Sequence, residues 1–561
     1  MAAGSAFIGP SQRLLELIAK TSTARASVML NTEICIHDRE DLTHCDGLVF
    51  RGLGQVTSIG LVKPQSAIGR FSIYWPYIIV AYFALNAVLR VLLTPTLTQD
   101  EAQQLVFAQS LRLGYDEQPP LYTWVLYSLF AVFGPSLVVL TAIKAILLSS
   151  AFLFAYSTGR MIAGPVAGMM ASASLFLVPQ IGWEMQRDLT HTVLVFIATV
   201  ALVYFLVAAY SYQRPRAYVG IALALAVGLL AKQLFFLAAI PLLLALPVVK
   251  DVWSRFNKRW LLYALAFGLC AAAPFYVWQI FNIATSLQDT AKFGLISPGD
   301  GALAQRWRGL GAIFEGIVST LAIPFAIWLV MTLGFRGRRA SGAIVRFLFI
   351  ATLLSLALIV VSVLVAGASS LRIRYFVLFD YPVLLLAPLV FLVCVKHKLL
   401  YWLLPAVAVT GAAVISVGLV IGFRFAPALD IPNRLQIPFV TLIDHLNGQG
   451  CHPEAVFAKD NFIGGNVRLQ LPTVPVSAPA HRVQLEPEAA QSLLLIWSAD
   501  SPEQEARVVA LAESAGQDLP PPKVETVTLP LLFSTSEQDL THSFAFRCHG
   551  YTPKPLSSPA G

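Results

Sequence analysis

Eleven long apolar runs recur between residues 71 and 422, and they decide what this chain can fold into. The hydrocarbon layer of a bilayer is about 30 Å thick, and about 20 apolar residues in a helix cross it. The runs lie near 71–93, 137–158, 165–182, 189–210, 217–231, 234–249, 260–281, 310–333, 347–367, 375–395 and 399–422. Backbone groups in hydrocarbon must be satisfied within the chain, so such runs are expected as helices. Of the 561 residues 57% are hydrophobic and only 12% charged, a surface that water alone could not solvate. The net charge of +8 falls in short basic clusters between the runs. That pattern signals topology rather than a nucleic-acid footprint, and nucleic acid is excluded as a partner.

The basic residues orient the chain. With the N-terminus cytoplasmic, the inner loops carry Arg160; then Arg214 and Arg216; then Lys250, Arg255, Lys258 and Arg259. The later inner loops carry Arg336, Arg338, Arg339 and Arg346, then Lys396 and Lys398, as the positive-inside rule requires. An odd number of spans then leaves residues 423–561 on the outer face. This region is polar and Pro-rich. Short runs such as "EAVFAKD", "SLLLIWS" and "VETVTLPLLF" alternate there with the helix-like "FVTLIDHLNG" and "SPEQEARVVALAESAG". A small α/β domain is expected. It holds Cys451 and Cys548, which can pair if the outer compartment is oxidising. Residues 1–70 show no basic segment followed by an apolar one, and read as a poorly ordered cytoplasmic extension. Cys35, His37, His44 and Cys45 lie there, without the spacing of a zinc site. No repeat is evident.

The charges expected on the outer face gather into a pattern. Asp100 and Glu101 follow the first run in "TPTLTQDEAQQLVFAQSLRLGYDEQPPLYTW". Thr98 and Glu101 have the spacing of a capping box, and acids in a first turn suit the helix dipole. Capping needs only one of the two. Leu105, Val106, Ala108 and Leu111 suggest that this helix lies along the membrane surface. Asp188 precedes the fourth run, Lys232 stands at a tight turn, and Arg372 and Arg374 open the tenth run. A charge at bilayer depth costs several kcal/mol unless paired or solvated, so these residues are expected to line one cavity. A lone Lys232 could instead reach the interface with its flexible stem.

The ordered motifs "TQDEAQQ…GYDEQPPLYTW", "RDLTHTVL", "GLLAKQLFFLAAIPLLLAL" and "RYFVLFDYP" resemble the GT-C glycosyltransferases, of the protein O-mannosyltransferase and lipid A aminoarabinose transferase type. The resemblance covers most of 71–395. It implies a GT-C fold of about 11 transmembrane helices over 71–422, with amphipathic juxtamembrane helices and the outer α/β domain. It further implies a sugar donor carried on polyprenyl phosphate and inverting transfer to an acceptor hydroxyl on a lipid or glycolipid, at the periplasmic face of a bacterial inner membrane. Asp100 would be the catalytic base, with Glu101 and Asp188 orienting acceptor or sugar. Lys232, Arg372, Arg374 and Tyr375 would bind the donor phosphate, and Tyr115, Gln118, Tyr122 and His191 would position substrate. The resemblance implies no definite cofactor, and a divalent cation held by these acids is the weaker option. The family commonly places His or Lys where this chain has Gln118, which shifts phosphate binding toward Lys232, Arg372 and Arg374. Lipid A, lipopolysaccharide core, another envelope glycolipid and protein Ser/Thr are all open as acceptors. A lipid-linked sugar flippase is the competing class, and it would favour repeated halves and a midplane site.

Overall fold

The computed structural model describes residues 66–115, 118–283, 301–332, 342–394, 400–425, 433–479, 481, 492–499, 503–514, 524–534 and 540–549. Cys35, His37, His44, Cys45, Arg336, Arg338, Arg339, Lys396 and Lys398 lie outside the described residues. Helix α1 (Ala67–Leu93) is followed by two short helices, α2 (Gln99–Phe107) and α3 (Leu121–Phe133). Then come α4 (Leu137–Ala163) and α5 (Pro165–Phe176), separated by Gly164, whose φ of 87° turns the chain back on itself. After α5 a π-helical turn, Gln180–Glu184, and a last turn, Met185–Arg187, bend the path by 80°. The chain continues as α6 (Thr190–Tyr212), α7 (Pro215–Ala231), α8 (Phe236–Val248) and α9 (Lys258–Phe281). The last four of the bundle are α10 (Ala302–Thr332), α11 (Ala343–Ala366), α12 (Val377–Cys394) and α13 (Leu400–Phe425).

All eleven expected runs are helical, and the chain is a polytopic helical membrane protein. Among the described residues seven helices are long and apolar enough to cross a membrane, or eight with the bent pair. Helices α7 and α8 are shorter, as the sequence suggests. At 1.5 Å per residue the 17 residues of α7 rise only about 25 Å. Helix α6 is the hub, with 83% of its apolar window buried, and α4 and α7 pack against it. The lipid-facing character of the others survives in exposed Leu, Val, Ile and Phe side chains along α1, α9, α10 and α11.

Beyond the bundle, α14 (Phe439–Gln449), β1 (Ala455–Ala458), α15 (Asn461–Gln470), β2 (Val476–Ser477), β3 (Leu493–Ser498), α16 (Glu503–Glu513), β4 (Glu525–Pro530) and β5 (Thr541–His549) form the α/β domain. Its five strands run in the order β2-β1-β3-β5-β4; β1 pairs in parallel with β2 and β3, and β5 pairs antiparallel with β3 and β4. Both faces are covered. Val456, Ala458, Leu494 and Ile496 pack toward α14 and α15, while Phe457, Leu495 and Trp497 pack with Val508 and Leu511 of α16. Cys451 and Cys548 form a disulfide that ties the start of the domain to its last strand. The sequence reading of α2 needs one correction. Its apolar side meets protein: Ala102, Leu105, Val106 and Phe107 are at most 1% exposed, and α15 covers the helix. Leu111 lies past the helix end and is 61% exposed.

Candidate active site

The acidic pair sits where α1 hands over to α2. Thr98 caps α2, its hydroxyl accepting from Glu101 N while Glu101 Oε2 accepts from Thr98 N at 3.0 Å, so the expected capping box is formed. Glu101 is also the centre of a buried ion triad. Oε2 accepts from Arg90 Nη2 at 2.9 Å and Oε1 from Lys144 Nζ at 3.0 Å. Burial pushes the Glu101 carboxyl up, but the charges of Lys144 and Arg90 outweigh it and hold the group down at about 2. Both oxygens are committed to protein donors, which leaves this carboxylate to anchor α2 rather than to face a substrate. Arg90 further ties the loop by donating to the carbonyls of Thr94 and Thr96.

Asp100 takes no part in that triad. It is half-buried and makes no hydrogen bond or ion pair among the described residues. Asp188, distant in sequence, meets the cap of α2, where its Oδ1 accepts from Thr98 Oγ1 at 2.9 Å. Burial, and after it the charge of Asp100, raises the Asp188 carboxyl to about 6. The chain delivers Asp188 at the end of the 80° bend. The next residue, Leu189, has a left-handed φ of 64°, a conformation that costs an ordinary side chain energy and turns the backbone into α6. Tyr122, at the start of α3, is 2% exposed, and its hydroxyl has no hydrogen-bond partner among the described residues. Burial, then the charges of Glu101, Asp100 and Asp188, push its phenol upward.

The cationic side adjoins Tyr122. The Tyr122 and His191 rings are 5.8 Å apart, and His191 opens α6 beside Thr192. Thr192 Oγ1 accepts from Lys232 Nζ at 3.1 Å, and that ammonium lies 5.7 Å from the centre of the Tyr375 ring. A chain of neighbours therefore runs from Tyr122 past His191 and Thr192 to Lys232 and Tyr375, and Asp100 and Asp188 are near enough to Tyr122 and to each other for their charges to interact. Arg374 is half-buried, with Nε buried and without a hydrogen-bond partner among the described residues; Arg372 is exposed. Gln118 is half-buried in the turn before α3. The Tyr115 ring stacks on Phe107 at 5.5 Å and lies 6.1 Å from the His481 ring, and its hydroxyl donates to Ser110 O, bracing the loop against the α/β domain. Among the described residues no group of three or more His, Cys, Asp or Glu side chains could hold a metal ion.

Sequence reasoning passed over Arg90, Lys144 and Gln104. Gln104 is 0% exposed, accepts from Thr123 Oγ1 at 2.7 Å and meets His191 Nε2 at 3.0 Å, so it joins α2, α3 and α6 one turn beyond Asp100. Lys144 did carry a signal: it is a lysine eight residues into an otherwise uncharged run, and such a residue calls for a buried partner.

The sequence family described as dolichyl-phosphate-mannose-protein mannosyltransferase matches residues 117–278. The chain is 32% identical over 447 residues to the lipopolysaccharide core galacturonosyltransferase RgtA of Rhizobium johnstonii, a match covering 75% of this chain and 85% of that protein. It is 29% identical to the lipopolysaccharide core galacturonosyltransferase RgtB of the same organism, over 85% of this chain and 98% of the relative. The lipid A galacturonosyltransferase RgtD matches at 24% identity over 43% of this chain and 50% of its own length.

Proposed function

Since the chain belongs to the GT-C membrane glycosyltransferases, in the company of the lipopolysaccharide core galacturonosyltransferase RgtA, we propose that it transfers galacturonate from a polyprenyl-phosphate donor to a hydroxyl of lipopolysaccharide core, at the periplasmic face of a bacterial inner membrane. The observation that carries this reading is the unpaired Asp100 beside Asp188, joined through Tyr122 and His191 to Lys232 and Tyr375. Asp100 takes the proton of the acceptor hydroxyl. The oxygen then attacks the anomeric carbon as the bond from that carbon to the phosphate oxygen breaks, and a single displacement inverts the centre. Polyprenyl phosphate leaves with its charge offset by Lys232, aided by Arg374 and Arg372 at the mouth. A uronate adds a second negative charge to the donor, which suits three cations at that end better than a neutral hexose would. Asp188 holds a second acceptor hydroxyl or the sugar.

The basic inner loops and the outer disulfide support the orientation with the α/β domain in the periplasm. A chelator titration decides between this route and a divalent cation bridging Asp100 and Asp188, since only the latter loses transfer on chelation and regains it with added Mg²⁺ or Mn²⁺. The test of the function is direct. Purified protein in bilayer discs, given polyprenyl-phosphate galacturonate and lipopolysaccharide core, should release polyprenyl phosphate and add one uronate mass to the acceptor. The same assay with a Ser/Thr peptide tests a protein acceptor. No release with any acceptor would overturn the transferase reading in favour of a flippase.

A further inference from the structure

We propose that α15 of the outer domain, through Gly465 and Asn466, is the positioning element that fixes the orientation of Asp100; this rests on the reading of Asp100 as the base. The two helices touch backbone to backbone. A Cβ on Gly465 would stand 2.2 Å from Ala102 O, inside any real contact, so no other residue lets α15 approach the first turn of α2 this closely. The neighbouring Asn466 is 0% exposed and has both ends of its amide committed. Its Oδ1 accepts from Leu97 N at 2.7 Å, just before the cap of α2, and its Nδ2 donates to Phe462 O at 2.9 Å within α15.

The rest of the loop is held by the same domain or its leading strap. Thr94 Oγ1 donates to Leu435 O at 2.6 Å and Thr96 Oγ1 to Ile437 O at 2.9 Å. Past the far end of α2, Gln109 behaves as an extra strand partner of β2, donating to Val476 O and accepting from Val476 N, each at 2.8 Å. Arg90 and Lys144 grip Glu101 from the membrane side. The first turn of α2 is thus clamped between bundle and outer domain, and Asp100, half-buried, is the acid of that turn outside the Arg90–Glu101–Lys144 triad. A displacement of about 1 Å at a reacting group costs on the order of a hundredfold in rate, so loosening this clamp should act on turnover rather than on binding.

Asn466→Ala and Gly465→Ala test the assignment in the full-length protein, by transfer kinetics and by amide exchange over residues 97–104. Both variants should lower kcat by about tenfold or more, with KM for donor and acceptor unchanged, and should speed exchange in that segment. Asn466→Asp, which keeps an acceptor for Leu97 N, should recover most of the loss and carries the test if either alanine variant fails to fold. Val508→Ala opens the apolar cluster on the opposite face of the sheet; it should lower the melting temperature and leave kcat and the 97–104 exchange alone. An equal fall in kcat for Val508→Ala, or wild-type kcat in Asn466→Ala and Gly465→Ala, would overturn the proposal. If the wild-type protein transfers no sugar, the functional reading fails, and the clamp is still decided by whether the exchange at 97–104 quickens.

Discussion

Asp100 and Glu101 are adjacent in the chain and differ in their surroundings: Glu101 is held by two buried cations, while Asp100 is half-buried and outside that triad. Their substitutions should separate cleanly. Asp100→Asn removes the base without breaking any protein contact, so transfer falls to background while the melting temperature stays put. Glu101→Ala strands Arg90 and Lys144 without a counter-charge, a loss of about 3–5 kcal/mol, and thermal unfolding of the purified protein should show it first. Asp188 sets the pH response. Burial and the charge of Asp100 raise it to about 6, so it is charged above that pH and takes up a proton below it. If Asp100 and Asp188 act on the acceptor as proposed, protonation removes one of their two charges, and the transfer rate should fall on the acid side with an apparent midpoint near 6 that belongs to the pair. Asp188→Asn should abolish that limb.

At the scale of elements, hydropathy was enough to place the eleven apolar helices, because a run that must satisfy its backbone in hydrocarbon has no other choice. The capping box was equally readable, being a local pattern of Thr98 and Glu101. Helix α3 went unforeseen, since 13 apolar residues after Pro119-Pro120 are too few for a span and look like the rest of a loop. Helix α15 was not foreseen either: it carries Gly464 and Gly465, poor helix formers, and the contact of Gly465 with Ala102 of α2 shows what a glycine does there. The ion triad and the clamp join residues that lie tens to hundreds of positions apart, and no local pattern encodes such a pairing. His481 belongs to this interface. It is 1% exposed against the Phe107 and Tyr115 rings, and neither ring nitrogen has a hydrogen-bond partner among the described residues. Burial, then the charges of Arg112 and Arg468, lowers it to about 3. The fold therefore keeps this histidine neutral. Its contribution is fully present above the ordinary value of 6.5 and is lost progressively as pH falls toward 3. Between pH 6.5 and 5 the loss is about 2 kcal/mol; His481→Phe should flatten the pH dependence of unfolding over that window.

For the molecule as a whole, the Cys451–Cys548 bridge closes a separation of 97 residues around nearly all of the sheet. Reducing it should cost the outer domain about 4 kcal/mol, seen as a lower melting temperature in dithiothreitol and matched by Cys451→Ser in its absence. Because that domain clamps α2, transfer should fall in the same temperature range as the domain melts, well before the bundle itself unfolds. The loop's long-range bonds also bear on how the protein is made. Thr94 waits for Leu435, 341 positions later, and Leu97 waits for Asn466, 369 positions later. At a synthesis rate of about 5–20 residues per second, that wait is tens of seconds. A nascent chain would already have its membrane helices in place while its acidic loop still lacked half of its supports. On the proposed clamp the acidic loop is completed last, by α15, and a chain that stops short of α15 should be inserted and inert.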